Sequence, residues 1–599
     1  MISRTRILFA TMLFVMLCLL SGCAAQEPQA AATQLPQESG GTGAGGAEAG
    51  WRTELTYEQL MDGFAFSSPV DNRWLAMPAD ASPPEHVFEG TLKLTGQDQA
   101  DGYLVVDGNP DLAPEVGQLP EFEFEFVQHQ GYLIPVQRGL IITGHEHWNY
   151  ILEPGRVWAE AGDQNYSRAS FPFALVYKGS NATFNGVMTF LFNDGGVSKV
   201  WYQITQETVY SFKMDLWGLL DGEYNLHAVE DAESVRAAFE RELADRFPAK
   251  PIEALAEDYP SVNLNAFGFS VSAQHMTWYG FVIDGVNYVG GCQTRYGAYP
   301  YCEYMRASSY STAKSAFVSI AIMRLAQKYD PEIQHLLIKD FLPEAADSPG
   351  DWENVTFGNV LDMATGNFRS ASSMVDEEQW DHPFWNAEYY DGMIAAAFDW
   401  PHGADPGTTW VYRSSDTFIL AQALGNYLRV KEGPQADLFQ LVVEEVYIPL
   451  KLSPGALTTL RTKDNNWQGA PVGYAGMWWI PDDLAKITTF LNFDGGMIDG
   501  VQILAPAMLS ASLQKNPQDR GVRVGPGHMY NNSFWANHYD QDNRLPCDVW
   551  VPQMLGISGV LVAPMPNGTN YYYASDNRQF HLLTAVKESN ELIPFCDEE

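Results

Sequence analysis

Cysteine and basic residues are both scarce in this sequence, and each shortage excludes a class of site or partner. There are 6 cysteines in 599 residues, and none of them has the clustered C-x-x-C spacing of a zinc site. Lysine and arginine total 35 against 74 aspartates and glutamates, which gives a formal net charge of -39. A surface this acidic repels a phosphate backbone, so no nucleic-acid partner is expected.

Long apolar runs are also lacking, except for one at the start of the chain. Residues 7–20 are largely apolar but too few to span a membrane comfortably as a permanent helix, and Arg4 and Arg6 precede them as in an export signal. Leu19-Leu20-Ser21-Gly22-Cys23 resembles the lipobox of bacterial lipoproteins. The resemblance implies a lipoprotein signal peptide over 1–23, a lipid on Cys23, and export to the periplasmic or cell-surface side of the bacterial cell membrane that anchors the protein. The alternative is an ordinary secretory signal with an incidental cysteine.

Export permits disulfides. Cys18 would leave with the signal and Cys23 would be acylated, so four cysteines remain: Cys292, Cys302, Cys547 and Cys596. Three pairings are possible. The short loop between Cys292 and Cys302 favours a bridge between them and leaves Cys547 with Cys596. All four are predicted to be structural.

The chain is too long for one core, and two folded domains are expected from its 599 residues. Hydrophobic residues make up 46% and aromatic residues 13%, which argues against disorder. Residues 24–50 are rich in Ala, Gln, Pro and Gly and are predicted to be a flexible linker. A β-rich domain of unassigned role is predicted over 51–250, and an α+β domain over 255–599.

Strand signals dominate residues 51–230. Residues 121–126 alternate strictly between glutamate and phenylalanine, and residues 193–196 (Asn-Asp-Gly-Gly) are typical of a hairpin turn. Many strands with turns between them predict a sandwich- or barrel-like domain, followed by a helix over 232–246. His145 and His147 would share one face of a strand and could hold a metal, but no third ligand lies at a fixed spacing, and no metal site is expected.

The second half passes from short strands, over 277–283 and 286–289, to helices and back to strands. Helices are predicted over 357–364, 417–430, 438–447 and 481–492. Closing strands are predicted over 549–551, 560–563 and 570–574. This order predicts an antiparallel sheet combined with a helical region.

Ser311-Thr312-Ala313-Lys314 is an S-x-x-K box at the start of a helical run. A hydroxyl and an amine three residues apart lie on one helix face, where the amine can take the proton of a poorly nucleophilic serine. The box alone is weak, since a chain this long holds about one or two by chance. A second copy, Ser512 to Lys515, comes too late in the chain to be followed by other motifs.

A second element lies about a hundred residues further on. Pro406-Gly407-Thr408 precedes Tyr412-Arg413-Ser414. In this order the motifs resemble the serine β-lactamase and penicillin-binding-protein superfamily, especially class C β-lactamases, related esterases and 6-aminohexanoate-dimer hydrolases. Residues 446–452, 473–491 and 492–504 resemble further landmarks of that family, so the resemblance covers about 260–599. It implies a β-lactamase-like α+β fold for this half of the chain.

The third element of that family departs from its pattern. The family has a basic residue before Thr/Ser-Gly on an inner strand, whereas this chain has Gly556-Ile557-Ser558-Gly559-Val560, so that Ile557 replaces the basic residue. The 6-aminohexanoate-type branch often has Gly-Ile-His-Gly here, and in that alignment Ser558 replaces the histidine. A substrate carboxylate would lose an anchoring charge here. The departure argues against efficient β-lactamase activity and towards an uncharged ester or amide, either a small molecule or a peptide-like compound.

The resemblance implies an acyl-serine mechanism without a cofactor. Ser311 would be the nucleophile and Lys314 its base, with a pKa lowered by the helix dipole. Tyr412 would relay the proton, and Ser414 would orient the lysine. The oxyanion would lie between the N–H groups of Ser311 and Val560. Ser558 and Gly559 are the further candidates for contacts with oxyanion or substrate.

Two alternatives remain open at this point. The altered third element would fit a non-catalytic member that binds peptidoglycan or a peptide. The β-rich domain would fit a surface glycan-binding lipoprotein. Aromatic residues crowd the second half and would either line a cleft or, by default, pack the core: Trp380, Trp385, Trp400, Trp410, Trp478 and Trp479. His382 and His402 are interpreted as packing or loop residues, since this chemistry needs no histidine.

Overall fold

A computed structural model describes residues 52–97, 102–106, 114–372 and 374–596. The predicted signal segment, the linker and Cys23 lie outside this described part of the chain. Two large sheets dominate the architecture, one of twelve strands and one of nine, and three two-stranded sheets accompany them. Within the described ranges, no helix has both the length and the apolar character that crossing a membrane requires.

The twelve-stranded sheet contains β1 (Glu89–Thr95), β2 (Gly102–Val106), β3 (Phe122–His129), β4 (Tyr132–Pro135), β5 (Leu140–Ile141), β6 (Trp148–Leu152), β7 (Gly155–Trp158), β8 (Ser167–Tyr177), β9 (Thr183–Asn193), β10 (Gly196–Val197), β11 (Val200–Glu207) and β12 (Lys213–Leu226). Eight of these strands close into a ring, in the order β9-β11-β12-β1-β3-β4-β7-β8 and back to β9. Neighbours in the ring are antiparallel.

Phenylalanine side chains that alternate with glutamates along β3 help to fill the interior of the ring. Phe122 and Phe126 lie on the same face of the strand, and both are buried in an apolar core built from the ring's own strands. The closed ring corresponds to the barrel-like form of the predicted domain. The hairpin predicted at 193–196 is confirmed, since β9 and β10 pair across it.

The nine-stranded sheet runs in the order β13-β15-β14-β27-β26-β25-β24-β23-β22. Only β13 and β15 pair in parallel among its neighbours. Its strands are β13 (Ala249–Pro251), β14 (Met276–Ile283), β15 (Val286–Gly291), β22 (Val522–Gly525), β23 (His528–Asn531), β24 (Phe534–Tyr539), β25 (Val549–Gly556), β26 (Val560–Pro564) and β27 (Asn570–Ser575). The two-stranded sheets pair β16 (Gln293–Thr294) with β17 (Gly297–Ala298), β18 (Ala307–Ser308) with β19 (Trp478–Trp479), and β20 (Met497–Ile498) with β21 (Val501–Gln502).

The α-helices are α1 (Tyr57–Asp62), α2 (Ala232–Ala244), α3 (Leu255–Asp258), α4 (Ile320–Lys328), α5 (Phe357–Leu361), α6 (Pro383–Asn386), α7 (Tyr390–Ala397), α8 (Ser414–Glu432), α9 (Leu438–Val442), α10 (Asp464–Trp467), α11 (Pro481–Asn492), α12 (Pro506–Ser512) and α13 (Leu583–Leu592). A π-helical segment, Lys314–Ser319, leads into α4, and a second one, Val443–Tyr447, follows α9. The helix predicted over 481–492 has those bounds, and the one predicted over 417–430 extends to Ser414–Glu432. The predicted α+β architecture of the second half is therefore confirmed.

The two halves of the chain share apolar packing and buried charge. Val187 and Trp201 of the ring belong to the same buried cluster as Phe317. Arg306 donates from Nε to Glu153 of the ring at 2.8 Å, and both side chains are buried. A buried charge left without a partner is costly, so this pair fixes how the halves meet.

His145 and His147 do not lie on a strand, contrary to the prediction. They occupy the bend between β5 and β6, where His145 Nδ1 accepts the N–H groups of His147 and Trp148 at 3.1 and 3.2 Å. Hydrogen bonds within the bend, rather than sheet alternation, set the conformation of this segment. That ring nitrogen therefore caps a turn.

Candidate active site

Ser311 directly follows a sharp corner of the backbone at Tyr310. Tyr310 directly before it has φ of +43°, a left-handed conformation that is unfavourable for a bulky residue. Lys314 N–H bonds back to Ser311 C=O at 3.1 Å, so the first turn that joins them is formed. Ser311 is half-buried and Lys314 only 1% exposed. The hydroxyl is thus reachable from solvent while its neighbouring amine is not.

The Lys314 ammonium nitrogen has three oxygen partners. Its Nζ donates to Ser311 Oγ at 2.9 Å and to Ser414 Oγ at 3.0 Å. The third partner is the carbonyl oxygen of Tyr474 at 3.3 Å. Burial lowers the pKa of Lys314 to about 8, and the Glu377 carboxylate opposes part of that shift. A lysine with this pKa is available as a base near neutral to mildly alkaline pH.

Tyr412 completes the group of three side chains that the sequence singled out. Burial and the Glu377 carboxylate raise the pKa of this phenol well above its ordinary value, and the neighbouring Ser311 side chain opposes part of that shift. Lys314 Nζ lies 5.0 Å from the centre of the Tyr412 ring. The hydroxyl, the amine and the phenol therefore meet at one point, although they come from distant parts of the chain.

Glu377 is the site residue that sequence reasoning missed. Its carboxylate accepts Ser414 N–H at 2.7 Å and Ser414 O–H at 2.6 Å, at the first residue of α8. Because the Ser414 proton is engaged by Glu377, its oxygen is left to accept from Lys314. Burial raises the pKa of Glu377, opposed by Lys314 and by the bonds from Ser414. Glu377 lies in an irregular loop with no motif around it, so no sequence signal identified it.

The third element forms the turn between β25 and β26. The backbone at Gly559 has φ of +113°, and a Cβ there would lie 2.2 Å from Ser575 Oγ, so only glycine fits. A Cβ on Gly556 would lie 2.7 Å from Ser309 C=O, which shows how closely this turn approaches the segment before Ser311. Val560 begins β26 and is fully buried.

Ser558 has a partner in the ring of strands. Its Oγ accepts the N–H of Tyr210 at 3.2 Å, and its C=O accepts the N–H of Arg578 at 2.8 Å. The residue is fully buried. The Ser558 hydroxyl is therefore engaged with the segment 208–212 between β11 and β12.

The tryptophans divide between core and site. Trp478 and Trp479 are fully buried, and Trp400 stacks on His382 with ring centres 4.4 Å apart. Trp410 packs beside Tyr412, with ring centres 6.0 Å apart. Trp380 and Trp385 are half-buried neighbours, 5.1 Å apart. Four of the six tryptophans are therefore buried, as the default of core packing predicts, and one of these four, Trp410, lies beside Tyr412.

Both predicted disulfides are formed: Cys292 with Cys302 and Cys547 with Cys596. His538, Asp540 and Asp548 are the group in the described ranges whose donor atoms lie within 4.8 Å of one another. Asp548 is 80% exposed, and exposed acidic groups of this kind are common without an ion. This group lies at β24 and before β25, outside the set of contacts around Ser311.

No family model matches the sequence, and no curated protein does. Solved structures with similarity include a Bacillus anthracis protein described as a 6-aminohexanoate-dimer hydrolase, 19% identical, covering 57% of this chain and 81% of its own, with a TM-score of 0.40. A β-lactamase/D-alanine carboxypeptidase from Yersinia pestis is 14% identical over 58% of this chain and 99% of its own, with a TM-score of 0.41. A class C β-lactamase is 11% identical over 63% of this chain and 100% of its own, with a TM-score of 0.38. The names of these proteins fall within the group that the motifs resemble.

Proposed function

We propose that this protein is a serine hydrolase that cleaves an uncharged ester or amide through an acyl-serine intermediate. The observation that carries the proposal is the convergence on Ser311. Lys314 Nζ lies 2.9 Å from its Oγ, and the same Nζ lies 5.0 Å from the centre of the Tyr412 ring. A nucleophile with a base and a proton donor in hydrogen-bond reach is the arrangement that acyl transfer needs.

The steps follow from these contacts. Neutral Lys314 takes the proton of Ser311, and Oγ bonds to the acyl carbon, whose carbonyl oxygen becomes an oxyanion. N–H groups of Ser311 and Val560 would stabilise that oxyanion, a contribution of about 3–4 kcal/mol for one such donor. The proton passes through Tyr412 to the leaving oxygen or nitrogen as its bond to carbon breaks. Water, deprotonated by the same groups, then hydrolyses the acyl-serine and restores Ser311.

The preference for an uncharged substrate rests on the third element. Ile557 and Ser558 offer no cation where the family has a basic residue, and the Ser558 hydroxyl accepts Tyr210 N–H. A substrate carboxylate would have no charge-assisted partner at this turn. Esters and amides without a carboxylate beside the scissile bond are therefore the proposed class.

A labelling experiment tests the proposal. We expect a fluorophosphonate probe to label the wild-type protein at Ser311 and to leave Ser311→Ala unlabelled. Ser512→Ala is a matched control, because Ser512 begins the second S-x-x-K copy but is buried and bonded to Met508 C=O at 2.8 Å. Labelling that survives in Ser311→Ala contradicts the proposal. No labelling of the wild type, by this probe or by a labelled penicillin, favours the non-catalytic binder of peptidoglycan or peptide.

We also propose that the protein is exported and held at the bacterial membrane through a lipid on Cys23. The sequence pattern before Cys23 supports this, and two disulfides in the folded part suit an oxidising compartment. We expect Cys23→Ser to move the protein from the membrane fraction to the soluble exported fraction. An unchanged membrane fraction in that variant contradicts the lipid anchor.

A further inference from the structure

We infer that loops of the ring of strands hold the catalytic site in position, and that Asn181, between β8 and β9, is a positioning residue for Ser311. This inference rests on the proposed hydrolase function and assigns a role to the N-terminal half, for which no motif gave one. The alternative is that the ring merely packs against the other half.

Asn181 joins two segments that both supply partners to Lys314. Its Oδ1 accepts Ser309 O–H at 2.9 Å, Tyr310 N–H at 2.8 Å and Gly476 N–H at 3.0 Å. The first two donors directly precede Ser311, and the third lies two residues after Tyr474, whose carbonyl accepts from Lys314. The side chain is 3% exposed, so water cannot readily replace these bonds.

The next hairpin of the ring holds the same corner from another side. Tyr310 O–H donates to Thr208 C=O at 2.7 Å, and Tyr210 N–H donates to Ser558 Oγ at 3.2 Å. Thr208 and Tyr210 both lie between β11 and β12. Residues of the ring therefore contact both the corner before the nucleophile and the turn before Val560.

The backbone of Tyr310 explains why such support is needed. Its φ of +43° persists only where surrounding contacts over-determine it. Both its N–H and its hydroxyl are bonded to the ring, to Asn181 and Thr208. Without these bonds the corner would relax, and Ser311 Oγ would move relative to Lys314. Misplacement of a reacting atom by about 1 Å can lower a rate by about a hundredfold.

Three full-length variants test the inference through ester hydrolysis and the rate of fluorophosphonate labelling. Asn181→Ala is expected to lower kcat at least about tenfold with KM changed less than about twofold, since the nucleophile moves but the substrate pocket stays. The change to alanine also removes the bond from Asn181 Nδ2–H to Met477 C=O at 3.3 Å, in the same segment as Gly476. Asn185→Ala is the matched control: Asn185 is equally buried and bonds Arg306 across the same contact between halves, but does not touch the corner.

The outcomes separate the two proposals. Wild-type rates in Asn181→Ala, or an equal loss in Asn185→Ala, would each overturn the positioning role while leaving a labelled Ser311 intact. A wild type that is not labelled at Ser311 refutes the hydrolase and this inference with it. If Asn181→Ala does not fold, Tyr310→Phe decides: it removes only the hydroxyl, and we expect kcat to fall about threefold with KM unchanged. An unchanged kcat in that variant overturns the inference.

Discussion

Replacing Glu377 by glutamine should move the pH dependence of the reaction towards acid. The carboxylate is two hydrogen bonds from Lys314, through Ser414 Oγ, with steps of 3.0 and 2.6 Å. Glutamine keeps the size of the side chain and can still accept a bond from Ser414. The change therefore removes the charge while preserving most of the geometry.

The magnitude follows from Coulomb's law. At a separation of roughly 5 Å and an effective dielectric constant of about 20, an ion pair is worth about 3 kcal/mol, or about two pKa units. Glu377 raises the pKa of Lys314 against the effect of burial, which leaves it at about 8. Removing the carboxylate should lower the pKa of Lys314 by about one to two further units.

The sign of the activity change is determined by the role of the base. Reaction needs neutral Lys314, so kcat/KM rises with pH through the pKa of this amine. In Glu377→Gln the rise should begin at lower pH. The plateau at high pH should fall about tenfold, because a less basic amine is a weaker proton acceptor and the ammonium formed loses its counter-charge.

The assay is a pH–rate profile of ester hydrolysis for the wild type, Glu377→Gln and Glu378→Gln. Glu378 is the exposed next residue, so its variant removes one equal charge that solvent already screens, and its profile should match the wild type. A midpoint in Glu377→Gln that is unchanged or moves towards alkaline pH would refute the coupling between this carboxylate and Lys314. So would an equal shift in Glu378→Gln.

Three further perturbations have defined outcomes. Tyr412→Phe keeps the ring but removes the hydroxyl, and kcat should fall about 10²- to 10⁴-fold with an unchanged melting temperature; an unaffected kcat would exclude the proton relay. Arg306→Met removes one of the two arginine partners of buried Glu153, leaving Arg138 at 2.6 Å, and also removes the arginine partner of buried Asp483; it should cost about 3 kcal/mol in denaturant unfolding, and no loss would show that the pair is replaceable. Replacing Cys547 and Cys596 together by serine opens a loop of 49 residues and should lower stability by about 4 kcal/mol, whereas an unchanged melting temperature contradicts this.

The position of the ring also bears on the glycan-binding alternative. Ring residues supply bonds to Tyr310 and Ser558, beside the candidate nucleophile and the third element. A module that only displays a glycan site would not need such contacts. Expression of 51–250 alone with a glycan-binding assay remains the direct measurement for that alternative.

Features that arise from residues close together in the chain were predictable from the amino-acid order. Ser311 and Lys314 are three residues apart, so one helical turn brings them together whatever the rest of the chain does. The helix over 481–492 followed from its apolar period, and the Cys292–Cys302 bridge from its short loop.

Contacts between residues far apart in the sequence could be identified only in the folded protein. Asn181 is 128 residues from Ser309, and Glu377 is 37 residues from Ser414, and both lie in irregular segments. Periodicity reports which face of an element is buried, but it carries no information about which distant loop will meet that face. The left-handed backbone of Tyr310 is likewise imposed from outside, because no local preference of tyrosine would select it. Residues close together in the sequence thus identified the reacting groups, whereas long-range packing provided the residues that position these groups and shift their pKa values.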